Sequence, residues 1–201
     1  MRELQATGGT TLTQAPAGRR PGVLSARAAW TLGVGIALVG FGIDQATKQW
    51  ALATLDPQDP PVLLGGLLTL RLIRNPGAAF SMGESFTVVL SLIAVAALVF
   101  VAGWLLPRAR HRGWVIGIGL LLAGILGNLA DRLFREPGFL HGHVIDFLQL
   151  PRFAIFNVAD MCITFAAIVL IWQLVIAQVD LVGASTKDAP TPGRDAEAPR
   201  R

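Results

Sequence analysis

The chain has 201 residues, of which 53% are hydrophobic and only 15% are charged. Soluble domains usually carry about 25% charged residues, so this composition, with a mean hydropathy of +0.56, excludes an ordinary soluble protein. The net charge is +4, but its distribution follows membrane topology, so we expect no nucleic-acid partner. The single cysteine, Cys162, cannot form an intramolecular disulfide.

The two ends of the chain are predicted to be disordered cytoplasmic tails. Residues 1–27 are rich in Gly, Ala, Thr, Pro and Arg and have no apolar periodicity. A cleaved signal peptide is the competing interpretation, but the apolar stretch that follows is too long for a typical signal-peptide core. Residues 182–201 are rich in Pro, Ala and charged residues and form the second tail.

Four long apolar runs lie between the tails, and each is long enough to cross a bilayer, which requires about 20 helical residues. Only helices and closed barrels satisfy their backbone in lipid, and these runs are too long for barrel strands. The predicted fold is therefore an all-α membrane protein with four transmembrane helices in a domain over 28–181. The helices are expected at about 28–52, 85–107, 113–132 and 157–179.

The distribution of Lys and Arg predicts the orientation of the helices. The two tails and the short 108–112 loop carry eleven of these residues, whereas the opposite side carries six. Because cytoplasmic segments are enriched in Lys and Arg, both termini are expected in the cytoplasm. The two long loops, at about 53–84 and 133–156, then face outward and carry most of the polar residues of interest.

Two segments of these loops are expected to form short strands. Residues 68–72 alternate between apolar and polar side chains, as a half-buried strand does, and residues 144–148 are a second candidate. Together they predict a small extracytoplasmic β-sheet cradle. The first strand leads to Asn75, Gly77 and the small residues of 78–81, where a substrate backbone could approach closely.

Asp146 and Asp160 are the strongest candidates for chemistry. Asp160 lies at the start of the last predicted helix and Asp146 lies fourteen residues earlier, so both carboxylates are expected near one membrane surface. Two close carboxylates do not both ionise readily, so one keeps a proton while the other acts as a base. The alternative is that Asp160 only favours the helix N-terminus electrostatically and Asp146 is a solvated loop residue.

Other polar residues at the helix ends are interpreted mainly as scaffold. Asn128, Asp131 and Arg132 share one face of the third predicted helix, although spacing alone does not exclude Asp131 from catalysis. Asp44 and Lys48 are four residues apart with the acid first, which favours an intrahelical pair. Lys48 could extend its amine to the interface, or the pair could brace the site or meet a lipid headgroup.

A metal site is also considered, because His141 and His143 lie close to Asp146 in the sequence. Zinc sites use such ligands, but an HxH sequence in a glycine-containing loop is weak support without an HExxH motif or cysteine partners. No GxSxG motif of a serine hydrolase is present. We therefore predict no metal and no cofactor.

Five motifs in this order resemble those of the lipoprotein signal peptidases, also called signal peptidase II, which are bacterial membrane aspartic proteases. The resemblance covers about residues 28–180. The motifs are Asp44-x-x-x-Lys48, Asn75-x-Gly77-x-Ala79-Phe80-Ser81, Gly127-Asn128-x-x-Asp131-Arg132, Val144-Ile145-Asp146-Phe147 and Phe156-Asn157-x-Ala159-Asp160.

The resemblance implies that the protein removes the signal peptide of prolipoproteins, cleaving before a diacylglyceryl-modified cysteine, with Asp146 and Asp160 as the catalytic dyad. The residues expected to bind substrate or support the site are Asp44, Lys48, Asn75, Gly77, Asn128, Asp131, Arg132 and Asn157. The implied partners are prolipoproteins and membrane lipid, and we expect a monomer in the bacterial cytoplasmic membrane.

Two features depart from the family pattern, and two other functions compete with it. The segment 133–145 and both tails look longer than is usual in the family. A small proton-coupled transporter is the first alternative, but it would place carboxylates near the midplane, whereas here they gather at helix ends on one side. A metal-dependent phosphatase of lipid carriers is the second alternative.

Overall fold

The computed structural model of the protein describes residues 22–77 and 84–186, except for the side chains of 84–86. Helix α1 spans Ala26–Thr54, α2 spans Glu84–Phe100, α3 spans Arg112–Phe134 and α4 spans Val158–Ile171. Helix α2 continues through a π-helical turn, Val101–Leu105, and a 3-10 turn, Leu106–Arg108, and α4 continues through a π-helical turn, Trp172–Ala177. The strands are β1, Val62–Leu63, β2, Leu68–Asn75, and β3, Val144–Gln149, and a 3-10 turn, Leu64–Gly66, follows β1.

In the described ranges, four helical segments are long and apolar enough to cross a membrane. The protein is therefore a multi-pass membrane protein, and the predicted fold of four helices with a small sheet is confirmed. Helix α1 extends two residues beyond the prediction at each end, and the Ser25 side chain caps its N-terminus by accepting the backbone N–H of Ala28.

Helix α3 is the centre of the bundle, and α1 and α4 pack closely against it. Gly127 shows how close this packing is, because a Cβ there would lie 2.5 Å from Asp44 Oδ2 and 2.8 Å from Ala159 Cβ. Small residues allow helices in membranes to approach in this way. Large apolar side chains such as Leu38 and Ile168 point outward and are exposed, as expected for a surface that contacts lipid.

The sheet is antiparallel in the order β1-β2-β3. Strand β2 pairs with β3 so that Asn75 lies opposite Val144 and Ile73 lies opposite Asp146, with an irregularity between Leu70 and Ile73. The two strand predictions are thus confirmed, whereas the two-residue strand β1 was too short to produce an alternating pattern. The sheet carries Asp146 to the end of the bundle where α1 and α3 end and α4 begins.

The two predicted tails are too long at their inner ends. Leu24 N, in the first tail, donates to Arg110 O at 2.8 Å. Thr186 N, in the second tail, donates to Gln178 O at 2.8 Å, and Leu181 O, just before that tail, accepts from Arg110 N at 2.7 Å. The segments before α1 and after α4 thus bond to the loop between α2 and α3, because the backbone groups of that loop need partners. Residues 1–21 and 187–201, which contain the rest of both tail predictions, lie outside the described residues.

Candidate active site

Asp146 is a buried acid held by amides. Only 2% of the residue is exposed. Asn75 Nδ2 donates to its Oδ2 at 2.8 Å, and Asn157 Nδ2 donates to its Oδ1 at 2.6 Å. Burial is the main cause that raises the pKa of Asp146 from 3.8 to about 6; the Asp160 carboxylate also raises it, and the two amide hydrogen bonds oppose the shift. Asp146 can therefore hold a proton at a pH where an ordinary aspartate is ionised.

Asp160 is the third residue of α4, and its carboxylate caps the N-terminus of that helix. Its Oδ2 accepts the backbone N–H of Asn157 at 3.2 Å, while Asp160 N donates to Asn157 Oδ1 at 3.0 Å, which forms a capping box. Its other oxygen accepts Asn128 Nδ2 at 2.8 Å. The helix-starting role considered for Asp160 is therefore present, and the same bonds fix its carboxylate beside that of Asp146.

Asn157 joins the two acids. It is fully buried, and its backbone N–H bonds Asp160 while its side-chain amide bonds Asp146. The same amide also donates to Asn128 Oδ1 at 3.1 Å. The structure thus brings Asp146 and Asp160, which are separated in the sequence by a strand and a loop, to one buried residue.

A second cluster of acids, next to the first, is paired with cations. Lys48 is fully buried, and its Nζ lies 2.9 Å from Asp44 Oδ2 and 2.8 Å from Asp131 Oδ2. Arg135 Nε lies 2.5 Å from the other oxygen of Asp131. The predicted pair of Asp44 and Lys48 is present. The suggestion that Lys48 extends to the interface is wrong, because two carboxylates hold its amine inside the bundle.

The cation-paired cluster orients the amide-held acids. Lys48 Nζ donates to Asn128 Oδ1 at 3.0 Å, so the amide oxygen of Asn128 faces Lys48 and its Nδ2 must face Asp160. On the other side, Asp44 Oδ1 accepts the backbone N–H of Ala159 at 2.8 Å. Asp44 and Lys48 therefore fix the position of the α4 N-terminus relative to α1 and α3.

Arg132 lies at the edge of the carboxylate pair. Its Nη1 donates to Asn128 O at 3.3 Å, and its charge interacts with both Asp160 and Asp146. It makes no ion pair within 4 Å in the described part of the chain. Arg132 is thus a nearby positive charge rather than a direct partner of either acid.

Gly77 fixes the side chain of Asn75. Its φ of +107° lies in the region that favours glycine, and its N–H donates to Asn75 Oδ1 at 2.9 Å. This bond turns Asn75 Nδ2 toward Asp146. The adjacent small-residue stretch, residues 78–81, lies outside the described residues.

Two buried hydroxyl groups on α2 were missed by the sequence analysis. Thr87 Oγ1 donates to Pro76 O, and Ser91 Oγ donates to Leu140 O at 2.8 Å. They connect α2 to the segment that carries Asn75 and to the long segment before β3. Their spacing of four residues within an otherwise apolar run was the signal that could have identified them.

The long segment 133–145 packs back onto the end of α3. Ile145 N donates to Asp131 Oδ2 at 3.2 Å, and Gly142 N donates to Arg132 O at 3.1 Å. His141 is exposed, with its Nδ1 3.0 Å from Phe139 O. Among the described residues, no group of three or more His, Cys, Asp or Glu is placed to hold a metal ion.

An apolar cavity of about 380 Å³ lies next to Asp160. Its walls come from the loop after β3 and the first turns of α4. The lining residues are Leu150, Phe153, Phe156, Asp160, Met161, Thr164 and Phe165. Asp160 is the only carboxylate among them, so it is the acid that faces a space able to hold an apolar ligand.

The fold and site define a multi-pass membrane protein with two carboxylates joined at one end of its helix bundle. Residues 36–176 match the family described as "Signal peptidase (SPase) II". The match covers more than half of the chain, and the chain therefore belongs to the signal peptidase II family. This confirms the resemblance inferred from the five motifs and identifies a bacterial membrane protein.

Similar proteins agree with this assignment. The chain is 52% identical over 132 residues to the lipoprotein signal peptidase of Leifsonia xyli subsp. xyli, covering 65% of this chain and 61% of that protein. It is 45% identical over 136 residues to that of Rhodococcus jostii, covering 68% of each. The match to the Leifsonia protein thus spans less than two thirds of that relative's length.

Two solved structures share the fold. One, titled as a bacterial membrane enzyme solved by the in meso method at 1.9 Å resolution, superposes with a TM-score of 0.62 at 26% identity and covers 77% of this chain and 96% of its own. A second bacterial membrane enzyme gives a TM-score of 0.56 at 27% identity, covering 76% and 90%.

Proposed function

We propose that the protein is a membrane aspartic endopeptidase that removes the signal peptide from diacylglyceryl-modified prolipoproteins by cleaving before the lipidated cysteine. The observation that carries the proposal is the pair of Asp146 and Asp160, joined through Asn157. Family membership supports peptide cleavage and gives no support to the transporter alternative.

The environments of the two acids support a division of labour. Burial favours the protonated form of Asp146, whereas Asp160 is partly exposed and faces the apolar cavity. We assign Asp160 as the base that takes a proton from water and Asp146 as the acid that donates a proton to the scissile carbonyl oxygen. In the second step Asp160 passes its proton to the leaving amine, and Asp146 recovers one from the tetrahedral oxygen.

Asn75, Asn128 and Asn157 act in this mechanism by positioning the acids. Each amide donates to a carboxylate oxygen at 2.6–2.8 Å, so the carboxylates cannot rotate away from the substrate. Such preorganisation lowers the reorganisation needed in the transition state. Arg132 adds a positive charge near the pair.

The apolar cavity at Asp160 supports a lipid-modified or strongly apolar substrate. Phe153, Phe156 and Phe165 provide aromatic walls, and Met161 provides an adaptable one. Substrate that reaches Asp160 from the bilayer would pass these walls. The excess of Lys and Arg near the termini supports cytoplasmic ends and a carboxylate pair at the extracytoplasmic face, in a chain that functions as a monomer.

A cleavage assay tests the proposal. The full-length protein in detergent would receive a diacylglyceryl-modified prolipoprotein, with the same precursor lacking the lipid as the matched control, each with and without EDTA. We expect EDTA-resistant cleavage of the modified precursor alone, immediately before the lipidated cysteine, mapped by mass spectrometry. Absence of cleavage by folded protein would overturn the proposal, and EDTA-sensitive cleavage would contradict the aspartic mechanism.

A further inference from the structure

A concave pocket of about 510 Å³ lies at the end of the bundle opposite to the carboxylate pair. It is formed where α2 ends and where the chain turns after α4. We call it the arginine pocket, and its lining residues are Pro107, Arg108, Arg110, Asp180, Leu181 and Val182. None of these residues takes part in the proposed peptidase site.

Both guanidinium groups of the arginine pocket are held in place. Arg108 lies over the ring of Trp104, 4.5 Å from its centre, and its Nη1 donates to Trp104 O at 2.8 Å. Arg110 Nη1 donates to Pro107 O and to Ala109 O, both at 2.8 Å. Among residues 22–77 and 84–186, these bonds use only Nη1 of each group, which leaves the remaining N–H donors for a ligand.

The positive charge of the pocket is not neutralised by an ion pair. Among the described residues, neither Arg108 nor Arg110 has a carboxylate oxygen within 4 Å. The acid in the wall, Asp180, turns its Oδ1 to the backbone N–H groups of Val182 and Ala184, at 3.0 and 2.7 Å. Among the described residues, the pocket therefore has two arginines that are held in position without an ion pair, and one acid whose Oδ1 already accepts two hydrogen bonds.

The turn after α4, which forms the other wall of the pocket, is hydrogen-bonded to the loop between α2 and α3 and to the start of α3. Arg110 N and His111 N both donate to Leu181 O, at 2.7 and 3.0 Å, and Trp114 Nε1 donates to Val179 O at 2.9 Å. The turn after α4 is thus bonded to the loop between α2 and α3. The arginine pocket is a built cavity rather than two flexible side chains on a surface.

The pocket adjoins aromatic residues typical of the membrane interface. Trp104 is 47% exposed and stacks on Phe100 with 5.1 Å between the ring centres, and tryptophan at the end of a spanning helix marks the membrane interface. Guanidinium groups match the geometry of phosphate oxygens. Basic pockets at the ends of membrane helices bind anionic lipid headgroups for these reasons.

We propose that the arginine pocket binds the phosphate of an anionic phospholipid. Arg108 and Arg110 contact the phosphate oxygens, and the exposed apolar side chain of Val182 lies against the glycerol region. A lipid with a cationic headgroup amine binds more weakly, because its amine meets the same positive charge. This site is independent of the proposed peptidase function and would remain if the latter were disproved.

The test counts bound lipid by native mass spectrometry on the delipidated full-length protein in uncharged detergent. The probes are phosphatidylglycerol, phosphatidylcholine and soluble glycerol 3-phosphate. We expect one retained phosphatidylglycerol, with binding about twentyfold weaker in the double variant Arg108→Gln/Arg110→Gln. The matched control is Arg152→Gln, an exposed arginine distant in sequence from the pocket, which should bind as the wild type does.

Two further variants keep the test decisive. Arg108→Lys/Arg110→Lys retains the positive charge but loses the paired N–H donors of the planar guanidinium groups. Val182→Trp fills the pocket and leaves both arginines in place. Each should lose phosphatidylglycerol selectivity. Wild-type binding in either variant, or equal retention of phosphatidylcholine, would contradict the proposal that this pocket binds the phosphate of an anionic phospholipid. Glycerol 3-phosphate binding as tightly as the lipid would overturn the assignment to a lipid ligand.

Discussion

Two neighbouring groups of buried acids differ in what holds them. Asp44 and Asp131 are paired with cations, with Lys48 between them and Arg135 on the far side of Asp131. Asp146, in contrast, is held by neutral amides of Asn75 and Asn157, and Asp160 is held by Asn128 and a backbone N–H. Asp44, Asp131 and Asp146 are all buried, so burial does not distinguish Asp146 from the cation-paired acids.

The difference distinguishes the acids that stabilise the fold from the acids that can transfer a proton. A carboxylate beside a buried cation gains Coulomb stabilisation of its charged form, which opposes the cost of burial. A buried carboxylate that accepts only neutral donors keeps a raised pKa, as Asp146 does, and can exchange a proton during catalysis. This contrast gives a physical reason to prefer Asp146 and Asp160 over Asp131, which sequence spacing alone left open.

The largest effect is expected from the amide-held acids. Asp146→Asn and Asp160→Asn should each reduce kcat for a lipid-modified precursor by at least about 10³-fold, because the acid or base is lost. The matched control is Asp180→Asn, an acid at the opposite end of the bundle, which should retain full activity. Cleavage at the wild-type rate by either dyad variant would remove that residue from the mechanism.

The next largest effect is expected from Lys48. Lys48→Met leaves Asp44 without its cation and Asp131 with one instead of two, which should lower the free energy of unfolding by about 3–5 kcal/mol. Unfolding in mixed detergent measures this change, with the exposed Arg71→Met as the control. Adding Asp44→Asn to Lys48→Met should recover part of the loss. A single variant as stable as the wild type would contradict the role of the cation.

A smaller effect is expected from Asn128, the residue between the two groups. Asn128→Ala removes the donor to Asp160 and the acceptor of Lys48, so kcat should fall by about tenfold to a hundredfold while KM changes little. Asn128→Asp should not restore activity, because its side chain cannot donate to Asp160. Equal losses in kcat and in folded protein would show that Asn128 is only structural.

The smallest effect is a shift in pH dependence. Asn75 donates to the charged form of Asp146 and thereby lowers its pKa, so Asn75→Ala should raise that pKa. The protonated acid then persists to higher pH, and the alkaline limb of kcat/KM should move upward relative to wild type and to the neighbouring control Arg74→Ala. A shift to lower pH would contradict the assignment of Asp146 as the proton donor.

The helices and the main strands were predictable because their signals are local. Apolar runs of about 20 residues determine spanning helices, and alternation predicted β2. The inner end of the first tail was not predictable, because Leu24 is ordered by a hydrogen bond to Arg110, in a loop distant in sequence. The two-residue strand β1 is likewise defined only by its partner β2.

The residues that form the site were predictable from the sequence, but the contacts between them were not. Charged residues at apolar helix ends indicated a functional site, and the motifs supplied the identity of the two acids. The buried position of Lys48 was one of the alternatives left open, because a lysine near a helix end can also extend to the interface and the sequence does not show that Asp131 approaches it. Asn157 likewise bonds both acids only because β3 brings Asp146 to the start of α4.

The most direct test of the contrast between the two groups of acids is infrared difference spectroscopy at about pH 5, above the usual aspartate pKa and below that of Asp146. A protonated, buried Asp146 should give a carbonyl-stretch component in the wild type that is lost in Asp146→Asn and retained in Asp131→Asn. A band that disappears in Asp131→Asn, or that persists in Asp146→Asn, would contradict the claim that the amide-held acid carries the catalytic proton.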